Sequence, residues 1–137
     1  MQVNAYLGFP GTCEEAFKFY EKTLGGKILM MMRYKDAPSD QPVSPESRER
    51  IMHARMTIGD TLLMASDAPP QMFKKAQGIT ISLLIPDPKE ADRVFAALAD
   101  GGETTMPIQK TFWAERFGMC TDRFGIPWMV NCEAKQG

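Results

Sequence analysis

The chain has 137 residues, of which 44% are hydrophobic and 24% charged, and its net charge is −1. That is the size and balance of one ordinary globular domain, able to bury roughly two-thirds of its surface without disulfide staples. The 16 basic residues form no stripe, which argues against a nucleic acid or an anionic membrane as partner.

The opening MQVNAYLGF lacks the basic, apolar and small-residue zones of a secretion signal. A strand is predicted over Val3–Phe9. Thr12-Cys13-Glu14-Glu15-Ala16 then has the form of a capping box, in which a side-chain oxygen and a Glu three residues on satisfy the first amide donors. The helix it opens carries Phe17, Phe19, Tyr20 and Leu24 and closes at Gly25-Gly26, a pair suited to a left-handed cap. Strands are predicted over Lys27–Tyr34, Ile51–Ile58 and Thr61–Ser66, with a long polar loop at Lys35–Arg50, a type that is often functional.

Residues 67–77, with Pro69-Pro70, read as a linker. A strand follows at Thr80–Ile85, and Asp87-Pro88-Lys89-Glu90-Ala91 repeats the helix start, with Pro88 where a missing N–H costs nothing. Its helix carries Val94, Phe95 and Leu98 and again ends on paired glycines, Gly101-Gly102. Strands at Glu103–Gln109, Glu115–Thr121 and Ile126–Cys132 complete the chain. Two helices built alike at nearly one offset imply two copies of one module, βαβββ twice. The expected organisation is one domain over 1–137, with module one at about 1–70 and module two at about 78–137. The modules should bury their oily sheet faces in one cooperative unit.

Two hairpins predict which side chains share a face. A two-residue Gly59-Asp60 turn pairs Ile58 with Thr61, Met56 with Leu63 and Ala54 with Ala65 on an apolar face shared with Met52. His53 opposite Ser66, Arg55 opposite Met64 and Thr57 opposite Leu62 then take the other face. A four-residue turn at 122–125 would pair Phe117 with Val130 and Met119 with Trp128 on the apolar face. Arg116 with Asn131, Gly118 with Met129 and Cys120 with Pro127 would lie opposite. A slip of one residue would reverse either assignment.

Tyr6-Leu7-Gly8-Phe9, Cys13 to Tyr20, Leu24-Gly25-Gly26, Ile51-Met52-His53-Ala54 and Leu63 to Asp67 together resemble PhnB-like proteins. So do Gly101-Gly102 with Met106-Pro107, Thr111-Phe112-Trp113, and Phe117-Gly118-Met119 running on to Asp122–Trp128. These belong to the vicinal oxygen chelate (glyoxalase/bleomycin-resistance) superfamily, and some are labelled 3-demethylubiquinone methyltransferase-like. The resemblance spans nearly the whole chain. It implies an α+β fold of two tandem βαβββ modules whose curled mixed sheets carry their helices outside, and a homodimer. No glycine-rich strand-to-helix turn is present to cradle a nucleotide-like cofactor, which argues against methyl transfer.

In metal-using members of the superfamily, four strand positions supply His and Glu to one divalent cation. By local motif those positions fall here on Ala5, Met64, Ser82 (or Ile81) and Met129. None is an imidazole or a carboxylate, whereas hard and borderline divalent ions need such ligands and thioethers select soft ions. No cofactor is therefore predicted, with a divalent metal left open under an alternative reading.

The expected ligand pocket gathers His53, Arg55, Met64, Ser66, Ser82, Trp113, Arg116, Cys120, Met129 and Asn131. His53 is the single histidine and suits acid–base work, or else a plain hydrogen bond in the sheet. Arg55 and Arg116 occupy corresponding strands and suit a carboxylate or phosphate, or else ion pairs with Asp67 or Glu115. Cys13 sits at a helix start, which lowers a thiol pKa, but Glu14 and Glu15 oppose that. Trp113 is a candidate stacking platform and Trp128 a core residue. The 11 methionines fill gaps in the core or line an adaptable pocket.

Three cysteines form no disulfide framework, and no apolar run approaches the length of a membrane helix, so the chain reads as cytoplasmic with no membrane partner. Three functions compete. The first is binding of a small polar or anionic molecule in a cup without the usual divalent metal. The second is a metal-dependent lyase, isomerase or dioxygenase. The third is a structural, partner-binding dimer.

Overall fold

The computed structural model describes residues 1–37 and 44–133. The chain divides into two compact units, Met1–Lys74 and Lys75–Gly137, with the boundary inside the predicted linker. The elements of the first are β1 (Tyr6–Phe9), α1 (Cys13–Leu24), β2 (Lys27–Arg33), β3 (Ile51–Ile58) and β4 (Thr61–Asp67). The second has β5 (Ile81–Leu84), α2 (Pro88–Ala99), β6 (Glu103–Gln109), β7 (Ala114–Thr121) and β8 (Pro127–Glu133). Each unit is thus βαβββ. Of the predicted loop Lys35–Arg50, residues 38–43 lie outside the described residues; a 3-10 turn at Tyr34–Asp36 precedes them.

The first sheet has the order β1-β4-β3-β2 and the second β5-β8-β7-β6. In both, the first strand runs parallel to the last and the other pairs are antiparallel. A strand, a helix and a return to the same sheet cover one sheet face with the helix and leave the other to different work. In the first unit, Phe9, Ala16, Phe17, Tyr20, Met56 and Ala65 are fully buried where α1 packs. In the second, Ala91, Leu98, Trp128 and Val130 do the same beneath α2. Each large side chain so buried contributes about 1.5–3 kcal/mol.

The helix ends follow the sequence only in part. Asp87 accepts from the Lys89 amide, as the capping reading requires. Thr12 makes no cap bond, and its Oγ1 is buried without a hydrogen-bond partner. A distant residue takes over: Asp67, at the end of β4, accepts from the amides of Gly11 and Cys13 through Oδ1 and from Ile51 through Oδ2. One buried carboxylate thus ties β1, α1 and β3 to β4. At the other helix ends, Gly25 and Gly101 take left-handed φ of 70° and 76°. The second glycine of the later pair is there for space: a Cβ on Gly102 would lie 2.1 Å from the Thr121 carbonyl oxygen.

The first hairpin has the predicted register, Ala54 opposite Ala65 through Ile58 opposite Thr61, on a turn with Gly59 at φ 57°. A bulge where β2 meets the start of β3 puts Ile51 in the core and leaves Met52 half-buried. The second hairpin is shifted by one residue from the prediction. Thr121 pairs with Pro127, Cys120 with Trp128, Met119 with Met129, Gly118 with Val130 and Phe117 with Asn131. Asp122 explains the shift. It is buried, and its carboxylate accepts from the amides of Phe124 and Ile126 and from the Trp128 indole. Drawing Ile126 into the turn lengthens the loop by one residue, and every rung beyond it moves. Gly118, Cys120 and Trp128 therefore face α2, and a Cβ on Gly118 would lie 2.8 Å from the Phe95 ring. Phe117 and Met119 face away.

Candidate functional site

Each sheet has a face turned away from its own helix, and the register decides what stands on it. In the first unit, parallel pairing puts Tyr6 beside Met64 and Gly8 beside Ser66. The antiparallel ladder adds Arg55 beside Met64, and the β2 side adds Met30 beside Arg55 and Met32 beside His53. His53, Arg55, Met64 and Ser66 thus share the face predicted for them.

The Tyr6 hydroxyl lies 3.2 Å from His53 Nδ1, and the two rings stack with centroids 5.8 Å apart. Which group donates depends on the imidazole tautomer. Arg55 is exposed and makes no ion pair or side-chain hydrogen bond with another described residue. Arg33, at the end of β2, contrasts with it, since its guanidinium is engaged by Glu14 and the Glu49 carbonyl. That contact holds the Glu14 carboxyl below its ordinary range.

In the second unit, Met129 stands beside Ser82 and Met119, and Asn131 beside Leu84 and Phe117. Asn131 Oδ1 is buried without a hydrogen-bond partner at an open concavity of about 310 Å³ lined also by Leu84, Ile85, Pro86 and Glu133. Trp113, 48% exposed, packs edge-on against Phe117 at 5.4 Å and against Phe112 at 4.7 Å. Ser82, Trp113, Met129 and Asn131 accordingly lie on or beside this face.

Arg116 and Cys120 do not. The shifted register turns both toward α2, where Arg116 Nε reaches Asp92 at 3.1 Å and Nη1 donates to the Glu115 carbonyl. Arg116 is therefore half of an intramolecular ion pair, with Asp92 as its carboxylate in place of Asp67 or Glu115. Cys120 is buried beside Trp128. Burial, reinforced by the Asp122 carboxylate, pushes its thiol up to about 11, which removes it as a nucleophile. Burial likewise pushes the Cys13 thiol up, with Asp67 and Glu14 adding to it, so the helix dipole does not prevail there.

Tyr6, Phe117 and Met119 join these faces without having been expected there. Tyr6 was accessible from the sequence: the alternation of Tyr6 and Gly8 with Leu7 and Phe9, and a parallel β1 beside β4, put Tyr6 next to Met64.

The comparisons with known proteins agree with this architecture. Residues 1–131 match the family described as 3-demethylubiquinone-9 3-methyltransferase. The chain belongs to that PhnB-like family. It is 35% identical to protein YjdN of Escherichia coli strain K12, over 99% of this chain and 98% of that one. Protein PA1353 from Pseudomonas aeruginosa is 46% identical, with a TM-score of 0.90 over 98% of this chain and 99% of that one. The manganese-bound fosfomycin resistance protein FosX from Listeria monocytogenes is 10% identical and shares the fold, with a TM-score of 0.68 over 98% and 93% of the two chains. The PhnB-like chain thus shares with FosX a fold built on two mixed four-stranded sheets.

The divalent centre of metal-using relatives does not fit these residues. Met64, Met129 and Ser82 stand on the open faces, and Ala5, exposed just before β1, offers only a methyl group. Among the described residues no group of three or more His, Cys, Asp or Glu converges. A hard or borderline divalent ion would meet thioethers and a hydroxyl.

Proposed function

We propose that this PhnB-like protein binds a small anionic or strongly polar molecule on the open face of its first sheet. The carrying observation is Arg55: an exposed guanidinium without a counter-charge among the described residues, one strand from Met64 and on the same face as the Tyr6–His53 pair. A guanidinium prefers planar anions, which it grips through two parallel N–H donors. Tyr6 and His53 would orient the ligand's oxygens, and Met64 would supply an adaptable apolar floor. The reading needs no divalent ion. We further infer that the chain acts in the cytoplasm with residues 1–137 as one domain, and as the homodimer that the resemblance implies. Sedimentation at tens of micromolar tests the dimer, and a lone 15.3 kDa species overturns it.

The ligand test is a thermal-shift panel of small carboxylates, phosphates and phosphonates on the wild type, Arg55→Ala and Arg116→Ala. At a hundredfold its dissociation constant, a true ligand stabilises by about 2.7 kcal/mol. The expected result is that Arg55→Ala loses at least tenfold in affinity and Arg116→Ala, whose partner is Asp92, loses none. Equal stabilisation of Arg55→Ala and wild type by every anion rejects the reading.

A further inference from the structure

The second unit carries a different arrangement, independent of the anion site. One rung of its sheet crosses all four strands as Ser82, Met129, Met119 and Met106, each the Cα partner of the next. Directly opposed residues on neighbouring strands lie about 4.5–5.5 Å apart. Met129 and Met119 are half-buried, and Met106, on the edge strand, is 38% exposed. By this register, which is bulged on either side of Met106, three methionines neighbour one another on the face turned away from α2, each on an unbranched stem with three rotatable bonds.

Methionine is not what a sheet face ordinarily selects, since β-branched and aromatic residues fit it better. What a methionine row adds to the same apolar volume is sulfur lone pairs. We propose that Met106, Met119 and Met129 form a binding site for a soft monovalent cation, Cu(I). Thioethers select Cu(I) over hard divalent ions. They are neutral, so a monovalent ion bound there introduces one charge, a smaller desolvation cost than a divalent ion would carry. Two residues along β7, Thr121 stands opposite Glu103, whose carboxylate favours a cation at this end of the sheet. At the β5 end of the row, Ser82 offers only a hydroxyl. The thiol nearest in sequence, Cys120, is turned to the α2 side and keeps its proton.

The test uses the full chain labelled at the methionine methyl carbons and titrated with Ag(I), a redox-inert stand-in for Cu(I). The expected result is that three of the 11 methionine signals move together and saturate at one equivalent. Zn(II) should leave them in place. Met119→Leu conserves volume and removes the central sulfur, so it should weaken Ag(I) binding at least tenfold with the melting temperature nearly unchanged. Met129→Leu should give the same loss from the neighbouring strand. The proposal is overturned if the Met106, Met119 and Met129 signals stay put at one equivalent. Undiminished Ag(I) uptake by both leucine variants also overturns it, since that assigns the ion to the thiols.

Discussion

Replacing Asp67 by alanine should be among the most damaging single changes available in the first unit. Its carboxylate is 2% exposed and accepts three backbone N–H groups, from Gly11 at 3.1 Å, Cys13 at 2.9 Å and Ile51 at 2.9 Å. The bonds to Cys13 and Ile51 are buried. An unsatisfied buried donor costs about 1–3 kcal/mol, so Asp67→Ala should cost about 4 kcal/mol, and Asp67→Asn, which keeps one acceptor oxygen, about 2 kcal/mol. A chain of this length has roughly 7–20 kcal/mol of stability in total, so the alanine variant loses a large part of it. Urea unfolding followed by circular dichroism measures both values. Because Asp67 follows Ser66 and holds the β3 start two residues before His53, the alanine variant should also weaken the proposed ligand site. A loss below 1 kcal/mol for Asp67→Ala would refute the view that this carboxylate organises the unit.

Two further outcomes follow from the geometry. Gly102→Ala drives a Cβ to 2.1 Å from the Thr121 carbonyl oxygen and should destabilise by several kcal/mol, whereas Gly8→Ala, with nothing within 4 Å, should be nearly neutral in the same urea titration. The Cys120 thiol is pushed from an ordinary 9.0 up to about 11 in the folded protein, so between those pH values only the unfolded chain gives up the proton. Stability should therefore fall as pH rises from 9 towards 11, and Cys120→Ala should flatten part of that slope in pH-dependent melts. An unchanged slope would mean that Cys120 is not what titrates there.

The repeat was legible because it rests on local chemistry. Capping residues, paired glycines and apolar periodicity act within a few positions, and both helices and all eight strands lie where those signals put them. The first hairpin was legible for the same reason, as a two-residue turn admits one register. The second was not, because its register is set by Asp122 through bonds to Phe124, Ile126 and the Trp128 indole, and sequence spacing does not announce that a turn residue will be buried. The Thr12 cap failed similarly. Thr12 has the right chemistry but makes no cap bond, and Asp67, more than fifty positions away, takes the Cys13 amide at the helix start.

That one-residue shift also changes what the two sheets can do. With Arg116 and Cys120 on the open face, the units would have carried matched guanidinium groups and called for one anion held by both. With the observed register, the face of the first sheet turned away from α1 holds an arginine unpaired among the described residues, an imidazole and a phenol. That of the second holds three thioethers, Phe117 and an amide oxygen without a donor. The first is suited to charge and directional hydrogen bonds. The second suits polarizable or apolar groups, since no cation on its central strands, β7 and β8, faces outward to attract an anion. The repeated module thus supplies two scaffolds of one topology with unlike chemistry. The difference arises in Asp122 and the turn it fills, outside both faces.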